Sequence, residues 1–231
     1  MSYKFNKRRW LSYWLIGIFF TADFLLLHYG SISRLPFAGF IAVISQSSNT
    51  YYDNLSLQWV FIPVFVFIEA VLYDDNPQYI VRYRSRIRKV IGDQLLLLLD
   101  AGVYAAVYLL PGTLIPLIVY RGQVTTTFLL LVVLTAVIYL FVFYFVGSLF
   151  LWLNAHFRRP VGCGLAVCLL VYIYARYNHS NLFILEKMNF VANFYFDRQN
   201  PPFLFLLTLT VGCGFGLSLL RLLFCGKEEY L

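Results

Sequence analysis

The run D-D-N-P-Q-Y-I-V-R-Y-R-S-R-I-R-K-V-I-G-D-Q, from Asp74 to Gln94, is the longest polar interruption in an otherwise apolar chain. It carries Arg82, Arg84, Arg86, Arg88 and Lys89, and stretches long enough to cross a bilayer lie on both sides of it. Asn76 is suited to cap a helix and Pro77 to occupy its first turn. At helical spacing Tyr79, Ile80, Tyr83, Ile87, Val90 and Ile91 share one face, and Arg82, Arg86 and Lys89 share the opposite one. Arg84 and Arg88 fall on a flank. The stretch predicts an amphipathic helix of about four turns between two membrane spans.

The rest of the composition agrees with a membrane setting. The 231 residues are 61% hydrophobic and only 13% charged, with a mean hydropathy of +0.73. A soluble domain cannot hide that much apolar surface, so the bilayer is the expected solvent for most of the chain. The net charge of +7 does not point to nucleic acid, because the basic residues sit where the positive-inside rule wants them. Cys163, Cys168, Cys213 and Cys225 lie in or beside apolar spans without a C-x-x-C or a histidine cluster, so buried free thiols are expected rather than a metal site. The first apolar run is long and lacks a small-residue processing site, and it reads as a span rather than a cleavable signal.

These features predict an all-α integral membrane protein forming a single transmembrane domain over residues 1–231. Its six spans fall at about 10–29, 57–73, 93–110, 125–153, 161–177 and 202–224. Residues 30–56 read as an outer loop holding a short apolar segment from Phe37 to Ile44. Pro111, Gly112 and Pro116 are expected to break span three, leaving residues 111–124 as an outer connection. Residues 178–201 form a second outer loop with an amphipathic middle. On this layout thirteen Lys and Arg residues lie inside, among them Lys4, Lys7, Arg8, Arg9, the five in the polar run, Arg158, Arg159, Arg221 and Lys227. Five lie outside: Arg34, Arg121, Arg176, Lys187 and Arg198. The bias puts both termini in the cytoplasm of a cell-membrane protein.

Catalytic patterns are missing from the sequence. It holds no H-E-x-x-H and no G-x-x-x-x-G-K-[ST], so neither a zincin protease nor an ATPase site of its own is expected, and no cofactor is implied in this chain. His28, His156 and His179 are scattered in depth. Asp23, Glu69 and Asp100 are ionisable residues inside apolar runs, where a carboxylate faces a cavity, a seam or a partner. Asp23 and Asp100 are candidates for a translocation path or an inter-subunit seam. Their depths differ too much for a catalytic dyad. Glu69 reads as interfacial, either solvated or paired with a loop arginine. Gly212 and Gly216 form a G-x-x-x-G, Gly162 and Ala166 a weaker pair of the same kind, and both suggest close helix packing. V-G-C-G occurs twice, from Val161 and from Val211.

Two explanations fit the basic run. It could satisfy the positive-inside rule and touch anionic lipid. A capped start and a length of about four turns exceed that need and favour docking to a protein.

The layout resembles the membrane subunit of an ABC-2-type exporter. The shared features are a basic N-terminal segment, six spans with both ends inside, a long outer loop after span one, and above all the basic inner helix between spans two and three. Small permeases of bacteriocin-immunity and peptide-export systems are similar there, often with an R-x-x-S-R-type run like Arg82 to Arg86. The resemblance implies that residues 77–92 act as the coupling helix against a separate P-loop ATPase, which would bind ATP and magnesium. Tyr79, Arg82, Tyr83, Arg84, Arg86, Ile87, Arg88 and Lys89, with Arg158 and Arg159 of the short inner turn, would form the contact. It also implies a homodimer or heterodimer of permeases. The Phe-, Tyr- and Leu-rich spans suit a hydrophobic or amphipathic cargo, peptide-like or lipid-like. Two other classes remain open: the substrate-binding membrane subunit of a vitamin importer, and a non-transport assembly or sensor protein.

Overall fold

Backbone groups in hydrocarbon must be satisfied within their own segment, which a helix does and an isolated strand does not. The computed structural model describes residues 7–44, 60–72, 86–177 and 203–228, and every regular element among them is an α-helix. In order they are α1 (Lys7–Arg34), α2 (Phe37–Ile44), α3 (Ile62–Leu72), α4 (Arg86–Val119), α5 (Thr126–Phe157), α6 (Pro160–Tyr177) and α7 (Phe203–Glu228). The expected cap at Asn76 and Pro77, the residues Tyr79, Arg82, Tyr83 and Arg84, and the loop 178–201 lie outside the described residues. So does the side chain of Arg86.

Among the described residues, four helices are long and apolar enough to cross a membrane, over Arg9–Ile32, Ile87–Val119, Thr126–Phe157 and Phe203–Leu223. Shorter apolar stretches, Ile62–Leu72 in α3 and Pro160–Tyr174 in α6, occupy the places read as spans two and five.

The largest departure from the sequence reading is α4. Its 34 residues run unbroken through Pro111 and Pro116, so residues 111–119 are helix and not a connection. Each proline removes one backbone donor, but a break would leave still more carbonyls and N–H groups without water. Both prolines are buried against neighbours, and the Thr113 hydroxyl donates to the Leu109 carbonyl at 2.7 Å between them. At its other end α4 already includes residues 86–92. The second half of the predicted amphipathic helix is therefore the first two turns of the span itself. α1 also outruns its expected end at Tyr29 and reaches Arg34. Tyr120 holds that end, its hydroxyl lying 3.2 Å from the Ile32 carbonyl and 3.1 Å from that of Leu35.

Contacts give the directions of the helices. Arg9, Phe20 and Ile32 of α1 meet Asp100, Tyr104 and Tyr120, so α1 and α4 run parallel. Phe61 meets Phe20 and Glu69 meets Arg9, which makes α3 antiparallel to both. α5 descends along α4, with Tyr139 on Tyr108, Phe143 on Tyr104 and Ser148 on Gln94. α7 descends beside α5 from Gly214 at Tyr144 to Arg221 at Asp93. The starts of α1 and α4 and the ends of α3, α5 and α7 thus gather at one end of the bundle. The basic residues Arg88, Lys89, Arg158, Arg159 and Arg221 gather there too. At the other end α2 packs Phe37 and Phe40 on Tyr120 and Phe37 on Phe128.

The middle of the bundle is aromatic. Phe20, Phe61, Phe65, Tyr104, Tyr108, Tyr139 and Phe143 are all fully buried. Phe61 and Tyr108 stand 4.1 Å apart by ring centroid, Tyr104 and Phe143 4.8 Å. In lipid this packing is held by dispersion and ring quadrupoles more than by expulsion of water. The Tyr104 hydroxyl, buried with the rings, donates to the Phe61 carbonyl at 2.7 Å. Outward, Trp14, Leu26 and Leu204 are among the most exposed apolar side chains, as lipid-facing surface requires.

Gly212 and Gly216 do not perform the close packing expected of them within this chain, since a Cβ on either would meet open space. The packing glycine of α7 is Gly214, where a Cβ would come within 2.7 Å of the Tyr144 ring. α6 repeats the pattern: a Cβ on Gly164 would come within 3.3 Å of Ala70 and 3.5 Å of Val66, while Gly162 is exposed. In both V-G-C-G copies the second glycine faces the bundle. Ser218 donates to the Gly214 carbonyl at 2.9 Å, so the Tyr144 hydroxyl, 2.7 Å from Ser218 Oγ, donates to it. Gly214→Ala should displace the Tyr144 ring and cost about 1–3 kcal/mol. Gly212→Ala and Gly216→Ala should leave stability unchanged or slightly raised. Thermal unfolding in detergent distinguishes them, and equal melting of Gly214→Ala and Gly212→Ala would contradict the packing assigned here.

Candidate functional site

Arg9 and Tyr13 are one turn apart on α1 and share a face. The parallel register of α1 with α4, and the antiparallel register with α3, bring Asp100 and Glu69 to the same level. Arg9 Nη1 donates to Asp100 Oδ2 and stands 4.0 Å from Glu69 Oε1. All three side chains are largely withdrawn from solvent, at 12% exposure for Arg9, 6% for Glu69 and 0% for Asp100. Tyr13 is also buried, one turn along α1 from Arg9. Glu69 Oε1, Asp100 Oδ1 and the Tyr13 hydroxyl accept or donate no hydrogen bond. Two carboxylates therefore face one guanidinium in a nearly dry junction of three helices.

This geometry revises the expected sites. Asp23 and Asp100 are not brought together. Asp23 is half-buried on α1, 14 residues beyond Arg9, or about 21 Å along the axis. Glu69 is not a solvated interfacial residue: it is buried in the same cluster as Asp100. The cation is also different from the loop arginines considered above, since it comes from the N-terminal run read as interfacial charge. Tyr13 lies between Trp10 and Trp14, both exposed. Its spacing of four from Arg9 was the available sign that the two share a face, but nothing local indicated which face is buried.

Beyond this cluster, toward the basic end, polar contacts tie α4 to its neighbours. Arg221 Nη2 donates to Asp93 Oδ2 at 3.0 Å, and Ser148 Oγ to Gln94 Oε1 at 3.2 Å. The first turns of α4 then present a mixed surface. Val90 is buried, whereas Ile87 and Ile91, one turn apart, are 38% and 44% exposed. The apolar face predicted to be continuous is divided: Val90 faces the bundle, and Ile87 and Ile91 face out beside exposed Arg88 and half-buried Lys89.

At the same end the α5–α6 turn exposes Arg158 and Arg159, flanked by exposed Phe157 and Val161. The turn is sharp because Arg158 adopts the left-handed conformation (φ 51°), with its N–H bonded to the Asn154 carbonyl at 2.9 Å. Pro160 then opens α6, where a missing donor costs nothing.

Among the described residues no group of three or more His, Cys, Asp or Glu could hold a metal ion. Cys163, Cys168 and Cys213 are free thiols. His28 is buried against Phe24, ring centroids 5.0 Å apart, away from Arg9 and its carboxylates. Comparison with family models, with curated proteins and with solved structures finds no match to this chain.

Removing the guanidinium should be more damaging than removing either acid. Arg9→Gln leaves two buried carboxylates without a counter-ion and should cost about 3–5 kcal/mol, the usual penalty for stranding buried charge. Asp100→Asn leaves Glu69 within reach of Arg9 and should cost clearly less. Thermal or denaturant unfolding of the two variants in the same detergent checks the order, and the reverse order would refute the arrangement.

Proposed function

We propose that this chain is the membrane-spanning permease subunit of an ATP-driven exporter of the ABC-2 type. The observation that carries the reading is the basic end of the bundle. There Ile87 and Ile91 at the start of α4 lie exposed with Arg88, and the α5–α6 turn projects Arg158 and Arg159. An exposed apolar pair ringed by cations suits a groove with an acidic rim on a soluble partner, the apolar side chains supplying affinity and the charges orientation. The partner in this reading is a P-loop ATPase, which binds ATP and magnesium, and the basic end faces the cytoplasm with both termini.

The continuity of α4 supports the same reading. From Arg86 to Val119 it forms one rod of 34 residues, about 50 Å long. A tilt imposed at Ile87 by nucleotide-driven closure of the ATPase would be felt at Asp100 and at Tyr120 without a hinge between. A second permease copy completes the pathway, and the open edge of α7 at Gly212 and Gly216 offers it a surface for close approach. With few charges in the spans, the cargo is a hydrophobic or amphipathic molecule, peptide-like or lipid-like.

Two substitutions test the contact without disturbing the bundle. Ile87→Asp changes an exposed side chain. Arg158→Gly removes a charge at a position whose backbone favours glycine. Each should weaken retention of a co-purifying ATPase at least about tenfold and abolish transport, while membrane insertion is unchanged. If the double variant keeps its ATPase and its transport, the docking surface lies elsewhere and the exporter reading fails with it.

A further inference from the structure

The cluster at Arg9 is unbalanced in charge. Two carboxylates, Glu69 and Asp100, and one guanidinium meet where α1, α3 and α4 cross. If both acids were ionised the junction would hold a net charge of −1 almost out of reach of water. Isolated charge of that kind is not kept in an apolar medium; it is neutralised. Arg9 is committed to Asp100 by a direct hydrogen bond, and Glu69 Oε1 is 4.0 Å from the same nitrogen with no hydrogen bond to it. A second sign is the Tyr13 hydroxyl, buried and without a hydrogen bond one turn along α1 from Arg9. Three oxygens (Glu69 Oε1, Asp100 Oδ1 and Tyr13 Oη) thus lack partners at one junction.

We propose that this junction is a proton-binding site, holding one exchangeable proton among Glu69, Tyr13 and Asp100 with Arg9 as its fixed counter-charge. The inference does not rest on the exporter reading. A proton suits the place better than a metal cation, because a guanidinium beside the site repels any ion that needs a coordination shell of its own. Uptake is simple addition: H⁺ from water joins a carboxylate oxygen, no other bond breaks, and the junction goes from a net charge of −1 to neutral. Tyr104, one turn along α4 from Asp100, donates its hydroxyl to the Phe61 carbonyl and takes no part.

Among the described residues, other titratable groups on the surrounding elements do not restore the balance. α5 brings Tyr139 and Tyr144, and α6 brings Cys163 and Cys168, none of them a cation. Arg221 of α7 is held by Asp93, seven residues or about two turns from Asp100. Arg88, Lys89, Arg158 and Arg159 lie further toward the basic end. Loss of the proton would leave uncompensated charge between α1 and its two neighbours, so occupancy governs how firmly the N-terminal part of α1 is clasped to the bundle.

Infrared spectroscopy of the full chain in lipid at neutral pH tests this by counting protonated carboxyl groups, recognised by a C=O stretch that shifts in deuterium oxide. The wild type should show a band that is unchanged when sodium is exchanged for potassium or choline at constant pH. The band should be lost in Glu69→Gln. It should also be lost in Asp100→Asn, because one guanidinium then balances the one remaining acid. Asp23→Asn should keep it. Survival of the band in either of the first two variants, its absence from the wild type, or its replacement by added sodium or potassium would overturn the proposal. If those variants fail to fold, the wild type alone puts the same question: the band should be lost reversibly as the pH is raised, and a band that does not titrate would overturn the proposal equally.

Discussion

Arg9 bridges three helices from the edge of the membrane-spanning region, and the alignment of α1, α3 and α4 depends on it. A lone charged side chain at the centre of a span costs about 2.5–3.5 kcal/mol on insertion scales, so neither Asp100 nor Glu69 would be tolerated there without compensation. The guanidinium reaches Asp100 directly and Glu69 at 4.0 Å. That requirement sets how far α1 can slide along α4, because a shift of one turn, about 5.4 Å, would separate the charges. The aromatic layer above follows from the same register. Phe20 reaches Phe61, Tyr104 and Tyr108 in the same register in which Arg9 reaches Asp100.

The second constraint is the absence of water around the backbone. It explains why α4 continues through two prolines that would end a helix in a soluble protein, and why α1 continues through polar residues to Arg34. It also explains the side-chain bonds at awkward places. Tyr120 reaches the carbonyls at the end of α1, Thr113 reaches Leu109, and Tyr104 reaches Phe61. Each supplies a donor where water would otherwise serve.

The two ends of the bundle then differ in kind. One is closed by rings, with Phe37, Phe40, Tyr120 and Phe128 packed together. The other is open and basic, with apolar side chains left uncovered. Among the described residues, then, aromatic packing dominates one end, and exposed Ile87, Ile91, Arg158 and Arg159 mark the other.

Much of this was legible in the sequence. Unbroken apolar runs dictate helices, because a lipid-embedded chain has no other local solution, and the placement of Lys and Arg follows the same field wherever the helices pack. Turn chemistry was local as well: a short reversal was expected between residues 154 and 160, and the chain reverses within that stretch, at Arg158 and Arg159 alone. The Gly214 and Gly164 contacts were not legible, because the same V-G-C-G letters offer two glycines and only the azimuth of each packed helix selects one. Nor did spacing show that Val90 turns inward while Ile87 and Ile91 turn out. By itself the sequence determined an all-helical chain, the approximate place of its apolar segments and the concentration of positive charge near their ends. The tertiary structure alone decided that Arg9 belongs with Asp100, 91 residues away, and that Glu69 joins them. The physical reason is that helix formation is local and can be read from each segment, whereas pairing of buried charges depends on register between helices distant in the chain.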